Sequence, residues 1–431
     1  MAGIFFIVQL PQKSKGISGF LSSGRIKQKE IGKLLFLLKS AGKMKNVISW
    51  ILLLFLSILL LNNCFTSKVQ KNIAQKTSFI ARLRELYSSG DSSKWPVPLL
   101  DNEAEPYFSE IGHLPEVQFP EDNPYSVEKV FLGKTLFFDP RLSGSDQIAC
   151  ASCHDPELSW TDHRALSYGH DRQLGTRNAM TILNVAYTGS LFWEGRAKSL
   201  EEQTQMPIQD KKEMNGHIEI AAGKIAKIKG YEPLFERAFG NKTVTKERIA
   251  QAIATFERTV KSAPSKFDEF IDGKRDLYTD DEVMGLHLFR TKANCISCHN
   301  SGYFSNNRFE NIGTSLLSSK EEDLGRYLVT KNPEDVGKFR VPSLREAART
   351  GPWMHNGSMV TLSEIIQLYN KGNPEPYQNK SAIYNGIPLA SHKSEILRLL
   401  DLTDEEVFQI EAFLGTLSTR PRRIIPPDLP H

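Results

Sequence analysis

Two stretches decide how this chain is read: IACASCHDPELSW, Ile148–Trp160, and ANCISCHNSGYF, Ala293–Phe304. Each holds Cys-x-x-Cys-His: Cys150, Cys153 and His154, then Cys295, Cys298 and His299. Two cysteines three apart, followed at once by histidine, form the attachment signature of a c-type haem. The thiols add to the haem vinyl groups, and the adjacent imidazole turns onto the iron as proximal ligand. A disulfide, a zinc site and a thioredoxin-like redox pair are the alternatives. A redox pair does not need the trailing histidine. The two units lie about 145 residues apart, each with its own histidine, which argues against one shared zinc. There are five cysteines. Four serve the two units and the fifth, Cys64, ends a hydrophobic leader, so none remain for a disulfide framework.

That leader is MKNVISWILLLFLSILLLNNC, Met44–Cys64. It starts with Lys45 and continues as an uncharged, largely apolar run from Val47 to Leu61. The run is short for a membrane span, which needs about 20 residues, and has the build of a secretory signal. Leu61 three positions before Cys64 resembles a bacterial lipobox, although Asn63 is an unusual residue directly before the cysteine. An uncleaved N-terminal anchor is the alternative. Both readings place the rest of the chain in the periplasm, the first with a lipid anchor on Cys64. A signal peptide begins near the initiator methionine, so Met44 is the expected start and residues 1–43 a misassigned extension.

The charge follows the same division. The whole chain is formally +4, but residues 1–63 hold nine Lys/Arg and only Glu30 as an acid, which leaves 45 basic against 49 acidic residues, or −4. The basic excess belongs to the leader, and composition gives no case for nucleic-acid binding.

Roughly 365 residues remain, enough for two domains. Residues 65–80 are polar and read as a tether, and Ser88–Tyr125 reads as an extended lead-in rich in Pro, Ser and acidic residues. Beyond it the pattern is helical. ERIAQAIATFERTV places Ile249, Ile253, Phe256 and Val260 on one face. TDEEVFQIEAFLGTL opens with a capping box, Thr403 and Glu406, and repeats Val407, Ile410, Phe413 and Leu417. Strand-like alternation is scarce. The expected fold is mainly α, with two c-type cytochrome domains, each helical around one covalently bound haem. KSAPSKFDEFIDGK, Lys261–Lys274, breaks the helical run and marks a boundary.

Several stretches together resemble the bacterial di-haem cytochrome c peroxidase and MauG family: LGKTLFFDPRLSGS, the first haem unit, GTRNAMTILN, FWEGRAKSLEEQ, the second haem unit, KFRVPSLREAARTGPWMHNGS and LYNKG. The resemblance spans roughly Leu86–Leu417. It implies a peroxidatic haem domain at 91–265 and an electron-transfer haem domain at 266–424, after the extension and signal at 1–63 and a tether at 64–90. The two copies of the motif then do different work.

Peroxide cleavage needs an open iron position and a group that moves a proton between the two oxygens. In QMPIQDKKEM the resemblance implies that Glu213 transfers the proton and that Gln203, ten residues earlier, orients peroxide or water, with Pro207 near them. From spacing alone, solvated helix residues are the commoner outcome. His170, in SYGHDRQLG, matches a histidine that caps the resting first haem; His163 is a competitor for that role. Trp193, in LFWEGR, matches a tryptophan placed between the haems as an electron relay, although a Trp beside Phe192 is more often core packing. Asn178, Thr350 and Pro352 match a calcium site at the domain interface, where carbonyl ligands are acceptable. His355 matches a family histidine near the second haem.

At the second axial position of haem two the family divides between Met and Tyr. Here the position fourteen after His355 is Tyr369. Thr361 and Glu364 form a capping box, Ile365 and Tyr369 share a face, and Gly372 ends the short helix. Tyr369 is the expected ligand, with Met354 or Met359 as the alternative. The function implied is a periplasmic di-haem peroxidase that reduces hydrogen peroxide to water with electrons from a small cytochrome c or copper protein. Its rival is a MauG-like oxidase acting on a protein or organic substrate, favoured by Tyr369 as His170 favours the peroxidase. A simple carrier with two closed haems is a third reading, opposed by Glu213 and Gln203. The expected cofactors are two c-type haems and one calcium ion. The expected membrane contact is the lipid alone, and a homodimer is among the expected assemblies.

Overall fold

The computed structural model describes residues 44–372, 381–420 and 423–431. The chain divides into two units, Met1–Ser78 and Phe79–His431. In the first, the described part is helical from Met44. The extension expected at 1–43 lies outside the described residues, as does the side chain of Cys64. Among the described residues no helix is long and apolar enough to cross a membrane.

The helices are α1 (Met44–Tyr87), α2 (Val127–Phe137), α3 (Leu200–Gln209), α4 (Ile218–Ala226), α5 (Glu232–Phe239), α6 (Lys246–Thr259), α7 (Lys266–Ile271), α8 (Asp280–Arg290), α9 (Tyr327–Thr330), α10 (Leu362–Asn370) and α11 (Asp404–Gly415). Among the described residues strands are confined to two small antiparallel pairs, β1 (Phe309–Glu310) with β2 (Phe339–Arg340) and β3 (Ser381–Tyr384) with β4 (Ile387–Ala390). The mainly helical expectation holds. Capping makes the helices start where the sequence says: the Thr403 and Thr361 hydroxyls accept from the amides of Glu406 and Glu364, whose carboxylates return the bond.

The second unit holds two main cores. One gathers Leu132, Leu136 and Phe137 of α2, Ile218 and Ile225 of α4, and Ile249, Ile253 and Phe256 of α6. The other gathers Phe267 and Phe270 of α7, Leu286 and Phe289 of α8, Phe304, and Ile410 and Phe413 of α11. Each core is built on a helix crossing closed by one glycine. A Cβ on Gly133 would overlap the Ala252 carbonyl and crowd Phe256; a Cβ on Gly285 would overlap the Gln409 carbonyl and crowd Phe413. α2 against α6 and α8 against α11 are the same device, once per haem unit.

Two boundaries differ from the sequence reading. The stretch 64–90 is not a free tether at its end, because α1 runs through to Tyr87 and buries Ile80, Leu83 and Tyr87 in the second core. Their three- and four-residue spacing makes one apolar stripe inside a polar stretch. The lead-in after residue 90 also serves the second core, through Trp95 and Ile111. Buried Arg290 fastens it, pairing with Glu110 and lying over the rings of Tyr87 and Trp95 at 5.4 and 5.2 Å. Arg345 adds a second clamp, with 2.9 Å bonds to both Asp268 carboxylate oxygens and 2.7 Å bonds to the carbonyls of Gly302 and Gly112. The second core is therefore discontinuous in the chain, taking residues from both sides of the first.

The glycine crossings are testable. Gly285→Ala should destabilise the holoprotein to denaturant by about 1–3 kcal/mol or more, the cost of overpacking. Gly223→Ala on α4, where a Cβ meets nothing within 4 Å, should cost nothing, since alanine is the better helix former. Equal stability of Gly285→Ala and the parent protein would refute the close crossing.

Candidate functional site

Each Cys-x-x-Cys-His unit folds into one tight turn, Cys150–Ser152 and Cys295–Ser297. The His154 amide donates to the Cys150 carbonyl at 3.0 Å, and the His299 amide to the Cys295 carbonyl at 2.9 Å. The imidazoles are aimed alike. His154 Nδ1 lies 3.2 Å from the Trp160 carbonyl, and His299 Nδ1 lies 3.2 Å from the Phe304 carbonyl. Trp160 and Phe304 both have left-handed backbone, φ 61° and 56°, and each carbonyl meets the ring of its own histidine. A carbonyl at Nδ1 selects the tautomer with the proton there and leaves the Nε2 lone pair for a metal. Burial lowers the pKa of His154, and lowers that of His299 to about 4. Both rings are neutral and ready to ligate.

The four motif cysteines form no disulfide. Burial raises Cys153 to about 11 and Cys295 and Cys298 to about 12, and raises Cys150 further. Among the described residues no group of three or more His, Cys, Asp and Glu converges on a metal-sized point. Buried polar atoms without a protein partner lie beside the units: Glu257 Oε2, whose charge is felt at Cys150, and Asn300 Nδ2, next to His299. Burial pushes Glu257 up to about 8. Two thiols, a directed imidazole and nearby unsatisfied polar groups fit a covalently held haem at each unit.

Near the first unit lie Gln203, Pro207 and Glu213. α3 begins at the Ser199 cap and carries Gln203 and Pro207 one turn apart. Past its end the chain folds back, with the Met214 amide on the Pro207 carbonyl at 3.3 Å and the Gly216 amide on the Ile208 carbonyl at 2.8 Å. That turn holds Glu213 half-buried, close enough to Cys153 for its charge to raise the thiol. Burial, then Asp210, pushes the Glu213 carboxyl above the ordinary range, and Arg196 opposes them. The His170 amide donates to the Glu213 carbonyl at 2.8 Å, and a side chain at Gly169 would collide with Lys212 and Glu213. The His170 loop is thus docked on the Glu213 turn, with His170 Nε2 3.2 Å from Asp171 Oδ2. His163 is engaged elsewhere, its Nε2 2.9 Å from the Arg349 carbonyl.

Trp193 is fixed by two backbone contacts. Its Nε1 donates to the Asn178 carbonyl at 2.9 Å, and its own carbonyl accepts from the Arg340 amide at 2.7 Å. The Asn178 amide donates to the His355 carbonyl at 2.8 Å, and Asn178 Nδ2 to the Arg164 carbonyl at 2.9 Å. With the His163–Arg349 bond and the close approach of Gly357 to Ala165, these contacts bring Asn178 to the segment that carries Thr350 and Pro352.

A charged network beside Trp193 was not legible in the sequence. Arg177 binds both Asp323 oxygens at 2.7 and 2.8 Å and also pairs with Glu194, which Arg196 holds from the other side. His355 is buried, stacked on Phe339 at 3.9 Å, with Nε2 3.9 Å from Asp323. Burial keeps it neutral, with a pKa lowered to about 4. Arg177 and Glu194 sit in the quoted motifs, but Asp323 is 146 residues away from Arg177 and no local pattern announces it.

At the second unit, α10 buries Ile366 in the core and presents Tyr369 to the haem motif. Burial, then the charges of Cys298 and Cys295, raises the phenol well above its ordinary range. Tyr369 therefore lies by the pair of thiols that fastens the second haem. Met354 is buried, and Met359 pairs its backbone with Trp353.

Comparison with known proteins agrees. The family profile described as Di-haem cytochrome c peroxidase matches residues 127–276. The methylamine utilization protein MauG of Methylophilus methylotrophus is 37% identical over 313 residues, covering 72% of this chain and 88% of that protein. The cytochrome c551 peroxidase of Pseudomonas aeruginosa is 32% identical over 315 residues, covering 71% and 83%. A crystal structure of a MauG-like protein associated with microbial copper homeostasis superposes with a TM-score of 0.63 at 32% identity, covering 71% of this chain and 93% of that one. With two haem-attachment turns, two helical cores and relatives of this kind over most of their length, the chain belongs to the di-haem cytochrome c peroxidase and MauG family.

Proposed function

We propose that the protein is an exported di-haem peroxidase that reduces hydrogen peroxide to water, taking two electrons and two protons per peroxide. The observation that carries this reading is Glu213, a half-buried carboxyl with a raised pKa at the Cys153 side of the first unit. The haem at that unit supplies the iron at which the O–O bond breaks. Glu213, ionised, takes the proton from one peroxide oxygen and returns it to the other as that oxygen leaves. Gln203 orients the peroxide from α3. His170 caps the resting site on a loop whose docking on the Glu213 turn lets the two respond together. Electrons would come from a small cytochrome c or copper protein, and Trp193 would serve as their relay toward the first unit when both haems are bound. The same reading carries a calcium ion held by Asn178, Thr350 and Pro352, and a periplasmic location with a lipid on Cys64.

Tyr369 favours a second reading, a MauG-like oxidase that draws electrons from a protein or organic substrate. A phenolate is a hard anionic donor that stabilises oxidised iron, whereas a thioether favours the ferrous state. Ligation by Tyr369 would lower the potential of a haem held at the second unit and dispose it to share oxidising equivalents rather than to accept electrons from a high-potential donor.

Two substitutions test these roles. Glu213→Gln should load both haems and lose roughly 10²-fold or more in peroxide turnover with reduced cytochrome c, the usual worth of a general acid–base. Near-parental turnover removes Glu213 from the reaction. Tyr369→Phe should keep both covalent attachments and change the axial-ligand signal of haem two in electron paramagnetic resonance, together with its potential. If signal and potential stay as they are, Tyr369 only packs, and a Met or His is the ligand.

A further inference from the structure

Arg340, on β2, is 4% exposed. Its amide donates to the Trp193 carbonyl at 2.7 Å, and Nη2 lies 3.2 Å from the Met180 sulfur. The other two guanidinium nitrogens, Nε and Nη1, are buried with no hydrogen-bond partner in the protein. The hydroxyl of Tyr303 is the one ionisable group that acts on it among the described residues, through charge and hydrogen bonding, against the burial that lowers its pKa. The place is particular. The Met180 carbonyl reaches the His154 imidazole, and the Pro342 carbonyl, two residues beyond Arg340, reaches that of His299. The guanidinium therefore sits between the two haem units, beside Trp193.

A buried cation without a counter-charge is strongly unfavourable, and a guanidinium fork matches a carboxylate with two parallel bonds. No carboxylate among the described residues takes that place. We propose that Arg340 anchors a haem propionate in the space between the two haems, and so sets the position and potential of the haem that carries it. The carboxylate closes Nε and Nη1, and the amide of the same residue holds the Trp193 carbonyl, so one residue ties anchor and relay together. Arg340 is a positioning residue in this scheme and makes no contact with peroxide. The proposal rests on the two-haem reading, which a pyridine haemochrome count checks separately.

The experiment uses the full holoprotein and its Arg340→Gln and Arg340→Lys variants. Both should bind two haems. Resonance Raman should show the propionate bending band of one haem shifted in both variants, because neither offers the fork. Potentiometry should show that haem at lower potential in Arg340→Gln, which has lost a positive charge, and near its parental potential in Arg340→Lys, which has not. Whether the responding haem is the first or the second identifies whose propionate is held. Parental Raman bands and potentials in Arg340→Gln, with two haems bound, overturn the proposal, because the orphan nitrogens are then met by water. If Arg340→Gln does not assemble, Arg340→Lys decides: an unshifted propionate band, or failure of this variant also to load both haems, overturns it.

Discussion

The interaction on which the rest depends is the bond between each motif histidine and the carbonyl five or six residues beyond it. A histidine that follows Cys-x-x-Cys is tethered by sequence, but its ring is free to rotate and to exchange tautomers. The Trp160 and Phe304 carbonyls remove both freedoms. They are presented by backbone in the left-handed region, a conformation that costs an aromatic residue of order 1–3 kcal/mol. Trp160 and Phe304 remain there because both side chains are buried in the cores. Core packing, carbonyl direction and imidazole direction are one linked arrangement, made twice.

The repetition extends to the glycine crossings of α2 with α6 and α8 with α11, and it ends at the residues that stand near the thiols. The first pair has Glu213 near it, on a turn folded back from α3, and the second has Tyr369 of α10. A carboxyl held in a partly desolvated place has a raised pKa. Both units make the same turn, and they differ in which element stands beside it.

Between the units the structure concentrates charge. Arg177, Glu194, Arg196 and Asp323 neutralise one another around Trp193 and His355. Such buried networks are costly when incomplete, so they favour one docking of the two halves over neighbouring ones. Arg290 and Arg345 do the same for the lead-in, which they clamp to the second core. Arginine recurs at these points because it offers several donors in a fixed plane and keeps its charge when buried.

The sequence by itself determined the local features: the two attachment motifs, the capped helices α10 and α11, the periodic face of α6 and the helical class. Each rests on residues within a few positions of one another, where spacing translates directly into geometry. Tyr369 and Glu213 were legible only through resemblance, since a lone Tyr or Glu on a helix or turn has no signature of its own. Only the tertiary structure decided that the lead-in belongs to the second core, that α1 ends inside it, that Asp323 pairs with Arg177, and that Arg340 lies buried between the haem units. These depend on residues far apart in the chain, brought together by burial and charge pairing, and no periodicity along a single segment records them.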